Sequence, residues 1–350
     1  MRYKIIFLDT YYEPVLSQLP HAYDYQQHME NVYAQCFGTA DFYSKIFKNF
    51  NWEASDIIGN DTEGRKLWCS ENNLEYRGNL DSVIRQINIE KPDVLYCQDL
   101  SFLPADTLKT FKQIGITLAA QHSCPWAGDQ QVREFDVVFT SFPHYIDKIK
   151  SLGAHSAFLP IAFGGEYVFD RITPSITRPY PITFVGGINA GSGHWANGTI
   201  FLDYIAQAFP DFKWWGYAIG NNIPQALKNT YQGEAWGVKM YEIYSKSRVV
   251  VNRHGEVAQG FSNNMRLFEA TGMGAVLATE SSKNLDEYFN PKSQCIAYNS
   301  KEDAVVKIGE ILMNQGQWVA MAVAGQQRTL KHHTYSQRLI EVDNVLRYIL

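Results

Sequence analysis

The residues of this 350-residue chain whose types and spacing could do chemistry are densest between Gly260 and Thr279. Gly260-Phe261-Ser262-Asn263-Asn264 is a turn rich in small residues. Helical spacing follows over 263–271, with Ser262 as the expected N-cap. Gly272 and Gly274 end the helix, and the apolar run 275–278 reads as a buried strand. The first N–H groups of a helix lack intrahelical partners and sit at its positive end. Ser262, Asn263 and Asn264 are therefore a candidate anion site. Arg266 can add a two-pronged donor for phosphate oxygens. Glu269 lies three residues on, shares the same helix face, and could accept two ribose hydroxyls. The plain alternative is a surface ion pair of little energetic weight.

Other candidates stand at the ends of apolar runs, the ligand-facing edge of open α/β sheets. Gly186 and Gly187 follow the run 182–185 and would let backbone approach a diphosphate. His194, in the loop beyond, could donate to a phosphate. Arg253 and His254 follow the run 249–252, and Trp236 could frame a nucleotide base. In the first half, His122 follows the run 117–120 and is the candidate for activating an acceptor hydroxyl. Tyr11, Tyr12 and Glu13 could line the acceptor site. Each of these also has a purely structural reading, as a packed ring or an ordinary turn.

Several familiar signatures fail. Gly191, Gly193 and Ala196 have dinucleotide-fingerprint spacing, but no acid ends the next strand, so no nicotinamide cofactor is expected. Gly59 and Gly64 have phosphate-loop spacing, yet Arg65-Lys66-Leu67 follows where Lys and then Ser or Thr is required. There is no Asp-x-Asp pair and no Cys-x-x-Cys, so neither a metal site nor any other bound cofactor is expected. The five cysteines form no framework and read as reduced thiols.

The elements that must position these residues alternate. Strands are expected at 3–8, 93–97, 117–120, 136–140 and 157–159. Helices are expected at 40–49, 80–89 and 145–152. The rhythm restarts with strands at 182–185, 213–217, 249–252 and 275–278, and helices at 198–208, 240–245, 263–271, 304–315 and 336–349. This is the pattern of parallel sheets covered on both faces. Residues 166–181, rich in Pro, Ser and Thr, read as a linker. The expected organisation is an acceptor domain over 1–165, that linker, a nucleotide-sugar domain over 182–335, and an amphipathic helix over 336–350. Two doubly wound Rossmann-like domains would then face a central cleft.

Lys and Arg total 31 against 36 Asp and Glu, a formal net charge of −5, which disfavours nucleic acid as a partner. The four apolar residues Ile5 to Leu8 are too few for a signal-peptide core, and no run reaches the roughly 20 residues of a membrane span. A cytoplasmic protein is expected, and nothing indicates contact with a membrane surface.

The stretch Asn264-Met265-Arg266-Leu267-Phe268-Glu269-Ala270, with Gly274 and Thr279 beyond it, resembles the C-terminal signature of the CgeB-like (spore maturation protein B) glycosyltransferases. Residues 37–43, 140–144 and 184–187 are similar to other stretches of that family. More distantly the signature resembles the retaining transferases with an E-x7-E motif. The resemblance implies the GT-B fold. It also implies transfer from a nucleoside diphosphate sugar to a carbohydrate, lipid-linked or protein acceptor, without a metal and with retention. The sequence departs from the distant motif at Phe261, where its first Glu would stand, and Gln259 lies two residues earlier. That departure keeps open a non-catalytic nucleotide-sugar-binding protein, and the two-domain shape, shared with other enzymes, keeps open a nucleotide-sugar epimerase or hydrolase.

Overall fold

The computed structural model describes residues 2–123, 126, 128–191, 196–220 and 222–350. The chain divides into two compact units. Met1–Pro160 and Tyr335–Leu350 form the first, and Ile161–Thr334 the second. Residues 166–181, read above as a linker, belong to the second unit. They contain the helix Glu166–Phe169 and the start of a strand.

The first unit holds a six-stranded sheet: β1 (Lys4–Asp9), β2 (Glu53–Ile58), β3 (Val94–Cys97), β4 (Thr117–His122), β5 (Val137–Thr140) and β6 (His155–Phe158). Their order is β2-β1-β3-β4-β5-β6 and every pairing is parallel. Continuous apolar runs such as Ile5 to Leu8 suit strands buried on both faces. Val83, Ile87, Leu108 and Phe111, from the helices Asn79–Glu90 and Ala105–Gln113, pack with Ile6, Leu8 and Leu95 in one apolar cluster. On the helix Phe42–Asn49, Tyr43 and Phe47 meet Phe7 edge-on. The last helix, Tyr335–Ile349, returns to this unit. Tyr335 lies 5.2 Å from Tyr43, and Arg347 donates to the Phe50 carbonyl at 2.7 Å.

The second unit repeats the plan with β7 (Tyr180–Val185), β9 (Phe212–Trp215), β11 (Ser247–Val251), β12 (Val276–Glu280) and β13 (Ile296–Tyr298), ordered β13-β12-β11-β7-β9 and all parallel. The short pair β8 (Ile188–Asn189) and β10 (Ala218–Ile219) extends from β7 and β9. Its base is tied by Arg178, which donates to the carbonyls of Tyr244, Ser247 and Met273 at 3.2, 2.8 and 2.8 Å. Two of these carbonyls close helices, whose negative ends favour a cation.

In each sheet the chain visits one side of its first strand and then the other. The reversal falls between β1 and β3 in the first unit and between β7 and β11 in the second. The carboxyl ends at such a reversal are where open α/β sheets bind ligands. Among the described residues no helix is long and apolar enough to cross a membrane.

Candidate functional site

Gly186 and Gly187 follow β7 at the second reversal. Gly186 has φ +154°, and a Cβ there would lie 2.5 Å from Nη2 of Arg266. A Cβ on Gly187 would lie 2.6 Å from the Tyr217 ring. A side chain at either position would have to displace a neighbour, Arg266 at Gly186 or Tyr217 at Gly187.

Arg266 holds this loop from the helix Arg266–Gly272. Its Nε and Nη2 both donate to the Val185 carbonyl, Nε at 3.0 Å, and its Nη1 donates to Asn252 Oδ1 at 3.0 Å. The guanidinium also sits 4.5 Å over the Phe184 ring. Arg266 has no carboxylate in ion-pair distance among the described residues, so it is not a surface pair with Glu269.

The helix itself starts later than expected. Its N-cap residue is Met265, and Asn264 Oδ1 receives the Leu267 N–H at 3.3 Å. Ser262 is not the cap. Its N–H goes to Asn284 Oδ1 at 2.7 Å, and the Asn263 N–H goes to His254 Nδ1 at 3.3 Å. These two N–H groups of the expected anion site already have protein partners. The segment 262–264 is pinned as a loop because side chains from neighbouring strand ends reach its backbone first.

Arg253 and His254 follow β11. Arg253 is 3% exposed and donates from Nη2 to the Gly187 carbonyl at 3.3 Å. Its head fills the space a side chain at Gly198 would need. Burial and the neighbouring Arg266 pull its pKa down to about 10, so it stays cationic at neutral pH. His254 is driven the same way, down to about 4, by burial and then by Arg266. Its Nδ1 accepts from Asn263, so the ring proton sits on Nε2, facing Thr279 Oγ1 at 3.2 Å and Ser262 Oγ at 3.4 Å. A neutral imidazole spent this way shapes the loop and leaves the positive charge to Arg253 and Arg266.

Glu269 is 5% exposed. Burial pushes its carboxyl up to about 7, against the opposing pull of Arg266 and of Tyr241, whose hydroxyl donates to Oε1 at 3.4 Å. Its Oε2 has no protein partner among the described residues. Trp236, the N-cap residue of the helix Gly237–Lys246, is half-buried and stacks on Tyr217 with ring centroids 5.7 Å apart. His194 lies outside the described residues.

Sequence reasoning missed Asn252 and Glu280. Asn252 is fully buried and joins the site. Its Oδ1 receives Arg266 and Asn264, and its Nδ2 donates to Thr279 Oγ1 at 2.9 Å. Glu280 closes β12 and receives the His254 N–H at 2.7 Å. The signal for both was available, because each is a polar residue at the carboxyl end of an apolar strand.

In the first unit His122 is 1% exposed. Its ring is enclosed by those of Trp126, Phe142 and Tyr145 at 5.2, 5.2 and 4.7 Å, with Nδ1 3.0 Å from Thr140 Oγ1. Its ring is packed as a core histidine's is. Tyr11 is buried, while Tyr12 is 53% exposed. The reversal between β1 and β3 instead carries Asp9 and Asp99. Thr10 bridges them, its N–H on Asp9 Oδ1 at 2.8 Å and its hydroxyl on Asp99 Oδ2 at 2.7 Å. Burial raises Asp9 to about 7, with Asp99 adding to the rise.

Residues 199–344 match the family described as Glycosyl transferase-like. No curated protein matches the chain. Among solved structures, Anabaena HepE in complex with UDP and glucose is similar over 99% of this chain and 100% of its own, with a TM-score of 0.64 at 11% identity. Sucrose-phosphate synthase from Thermosynechococcus elongatus is similar over 99% of both chains, with a TM-score of 0.59 at 10% identity. UDP-GlcNAc 2-epimerase from Neisseria meningitidis, bound to UDP-GlcNAc, is similar over 98% of this chain and 100% of its own, with a TM-score of 0.55 at 9% identity. The chain thus has the GT-B fold of two Rossmann-like domains, and most of its second unit matches a glycosyltransferase-like family. The matches do not reach the narrower CgeB-like family.

Proposed function

We propose that the chain transfers a glycosyl group from a nucleoside diphosphate sugar to an acceptor, as a metal-independent transferase of the CgeB-like kind. The observation that carries this reading is the convergence of two guanidinium groups, Arg253 and Arg266, on the Gly186–Gly187 loop at the reversal between β7 and β11. Fixed positive charge at that edge suits a diphosphate and would stabilise it as it departs. Glu269 Oε2 is the acceptor for ribose hydroxyls, and the Tyr217–Trp236 stack is the platform for the base. The complexes of HepE and of the Neisseria epimerase with uridine nucleotides support the donor class. The acceptor is a carbohydrate, lipid-linked or protein hydroxyl, and the course is taken as retaining on the signature around Glu269.

Calorimetry with UDP, GDP and their sugars tests the donor site, and nucleotide release in EDTA with an acceptor panel tests the transfer. Loss of turnover in EDTA, restored by Mg²⁺ or Mn²⁺, would refute the metal-independent scheme. The likeness to an epimerase favours a second reading, isomerisation of the donor. A new sugar nucleotide formed from donor alone would establish that reading in place of transfer.

A further inference from the structure

A cavity of about 480 Å³ opens within the second unit, at the carboxyl ends of β11, β12 and β13. Phe201 and Tyr298 line it, stacked with centroids 4.9 Å apart and planes 13° from parallel. Glu280, Arg253, Ser281 and Ser300 also face it. Sites for small molecules span roughly 300–1,000 Å³. This one is at the small end, suited to a single hexose with its waters.

The lining chemistry narrows the occupant. The cations Arg253 and Lys301 are matched by the acids Glu256 and Glu280, so the wall does not select for net charge on the ligand. Its polar groups are carboxylates, hydroxyls and amides, which exchange hydrogen bonds with sugar hydroxyls. Phe201, half-buried and backed by the stacked, buried Tyr298 ring, offers the apolar surface that the C–H face of a pyranose needs. Glu280 is the best-placed reader. Its Oε2 is fixed by the His254 N–H at 2.7 Å. Its Oε1 has no protein partner among the described residues, which leaves that oxygen to accept from a ligand hydroxyl. Arg253 links the cavity to the phosphate loop, since the same side chain lines it and donates to Gly187.

We propose that this cavity is the subsite for the transferred sugar, that it takes an uncharged hexose, and that Glu280 determines which one by accepting its hydroxyls. The inference rests on the donor reading above and goes further in naming the sugar class and the residue that selects it.

The experiment measures affinities of the full chain for UDP, GDP and a panel of their hexose conjugates. It uses wild type, Glu280→Gln and Phe201→Ala, each checked for cooperative thermal unfolding. Glutamine keeps an oxygen for the His254 N–H and loses the charge. Phe201→Ala acts from a different element, so it keeps the test alive if the first variant misfolds. The expected result is affinity for the free diphosphate within about twofold of wild type. Affinity for the preferred conjugate should fall roughly tenfold or more, the loss of one hydrogen bond to a charged group. The order of preference among hexoses should change in Glu280→Gln. Equal losses for diphosphate and conjugate would overturn the proposal, placing Glu280 with the phosphate loop through His254. So would a wild type that binds diphosphates but gains nothing from any sugar. Failure of the wild type to bind any nucleotide would sink the donor reading itself.

Discussion

Arg266 is fastened to Val185, its Nε donating to that carbonyl at 3.0 Å while its guanidinium covers the Phe184 ring at 4.5 Å. The side chain from the family-like signature thus reaches 81 residues back along the chain to hold the last residue of β7 in place. Its chemistry toward a ligand and its hold on the loop are inseparable.

Arg266→Ala is therefore expected to weaken both folding and nucleotide binding. Losing charge-assisted bonds to Val185 and Asn252 should cost about 2–3 kcal/mol in denaturant unfolding. Affinity for free UDP or GDP should fall with it. Arg266→Lys keeps the charge but cannot reach Val185 and Asn252 together, so it should recover little of the stability. A variant that folds as wild type and loses turnover alone would show that the loop stands without Arg266.

Glu269 gives a pH signature. Its carboxyl is raised from 4.5 to about 7, first by burial. A raised acid binds its proton more tightly in the native state, so unfolding releases protons and stability falls as pH rises. The fall should run from about pH 4.5 to about pH 7 and amount to no more than roughly 3 kcal/mol. Glu269→Gln removes it. The variant should match wild type near pH 5 and exceed it near pH 8, read as the difference between urea unfolding curves. Asp9 and Asp56, also raised to about 7 by burial, contribute equally to both proteins and cancel. Parallel curves at the two pH values would place the ionised carboxylate in a polar setting. If the carboxylate receives ribose hydroxyls, nucleotide affinity of wild type should rise through the same window.

The alternation of apolar runs with helical spacing made most of the fold legible. Long strands such as β1 and β7 need no tertiary information, because parallel sheets bury both faces. β2 and β13 were missed for physical reasons. In Glu53–Ile58 the apolar run is interrupted by Ser55 and by Asp56, a buried acid bonded to Ser44, and Ile296–Tyr298 is only three residues long. The expected helix at 304–315 is Lys301–Met313; the helix Gln315–His332 beyond it was missed, and Asn314 separates the two by leaving helical geometry, its Oδ1 capping the Gln317 N–H. In the site, residue types at strand ends pointed to the right edge of the sheet. They could not tell which N–H groups were already taken. That depends on His254 and Asn284, which arrive from other strands and loops.

His122 tests the same distinction in the first unit. Its ring lies among Trp126, Phe142 and Tyr145, so His122→Phe should keep nucleotide release with acceptor within a few-fold of wild type. The Thr140 hydroxyl would lose one partner but keep the Phe142 N–H and carbonyl, so the cost to stability should be no more than about 1 kcal/mol. Loss of a general base would instead lower turnover by about 10²–10⁴ with folding intact. A rate assay beside a melting curve separates the two.

Gly198→Ala is the sharpest case, because two effects oppose each other. Gly198 sits in the first turn of the helix Ala196–Ala208, where alanine should be favoured by about 0.5–1 kcal/mol on propensity alone. Yet a Cβ there would fall 1.7 Å from Nη1 and 2.0 Å from Cζ of Arg253. No relaxation of a few tenths of an ångström relieves such overlap, so the Arg253 head must leave. It would give up the Gly187 carbonyl, and a cation that is 3% exposed would need a new setting. Displacing it should outweigh the helix gain, giving a net loss of stability of about 1–3 kcal/mol. The same movement takes one of two guanidinium groups off the glycine loop. Affinity for free UDP or GDP should then fall by about tenfold or more, as expected for one charge-assisted bond. Calorimetry on the folded variant reads this directly. A stabilised Gly198→Ala that binds nucleotide as wild type would show that Arg253 can swing away without consequence, and the donor site would lose one of its two cations.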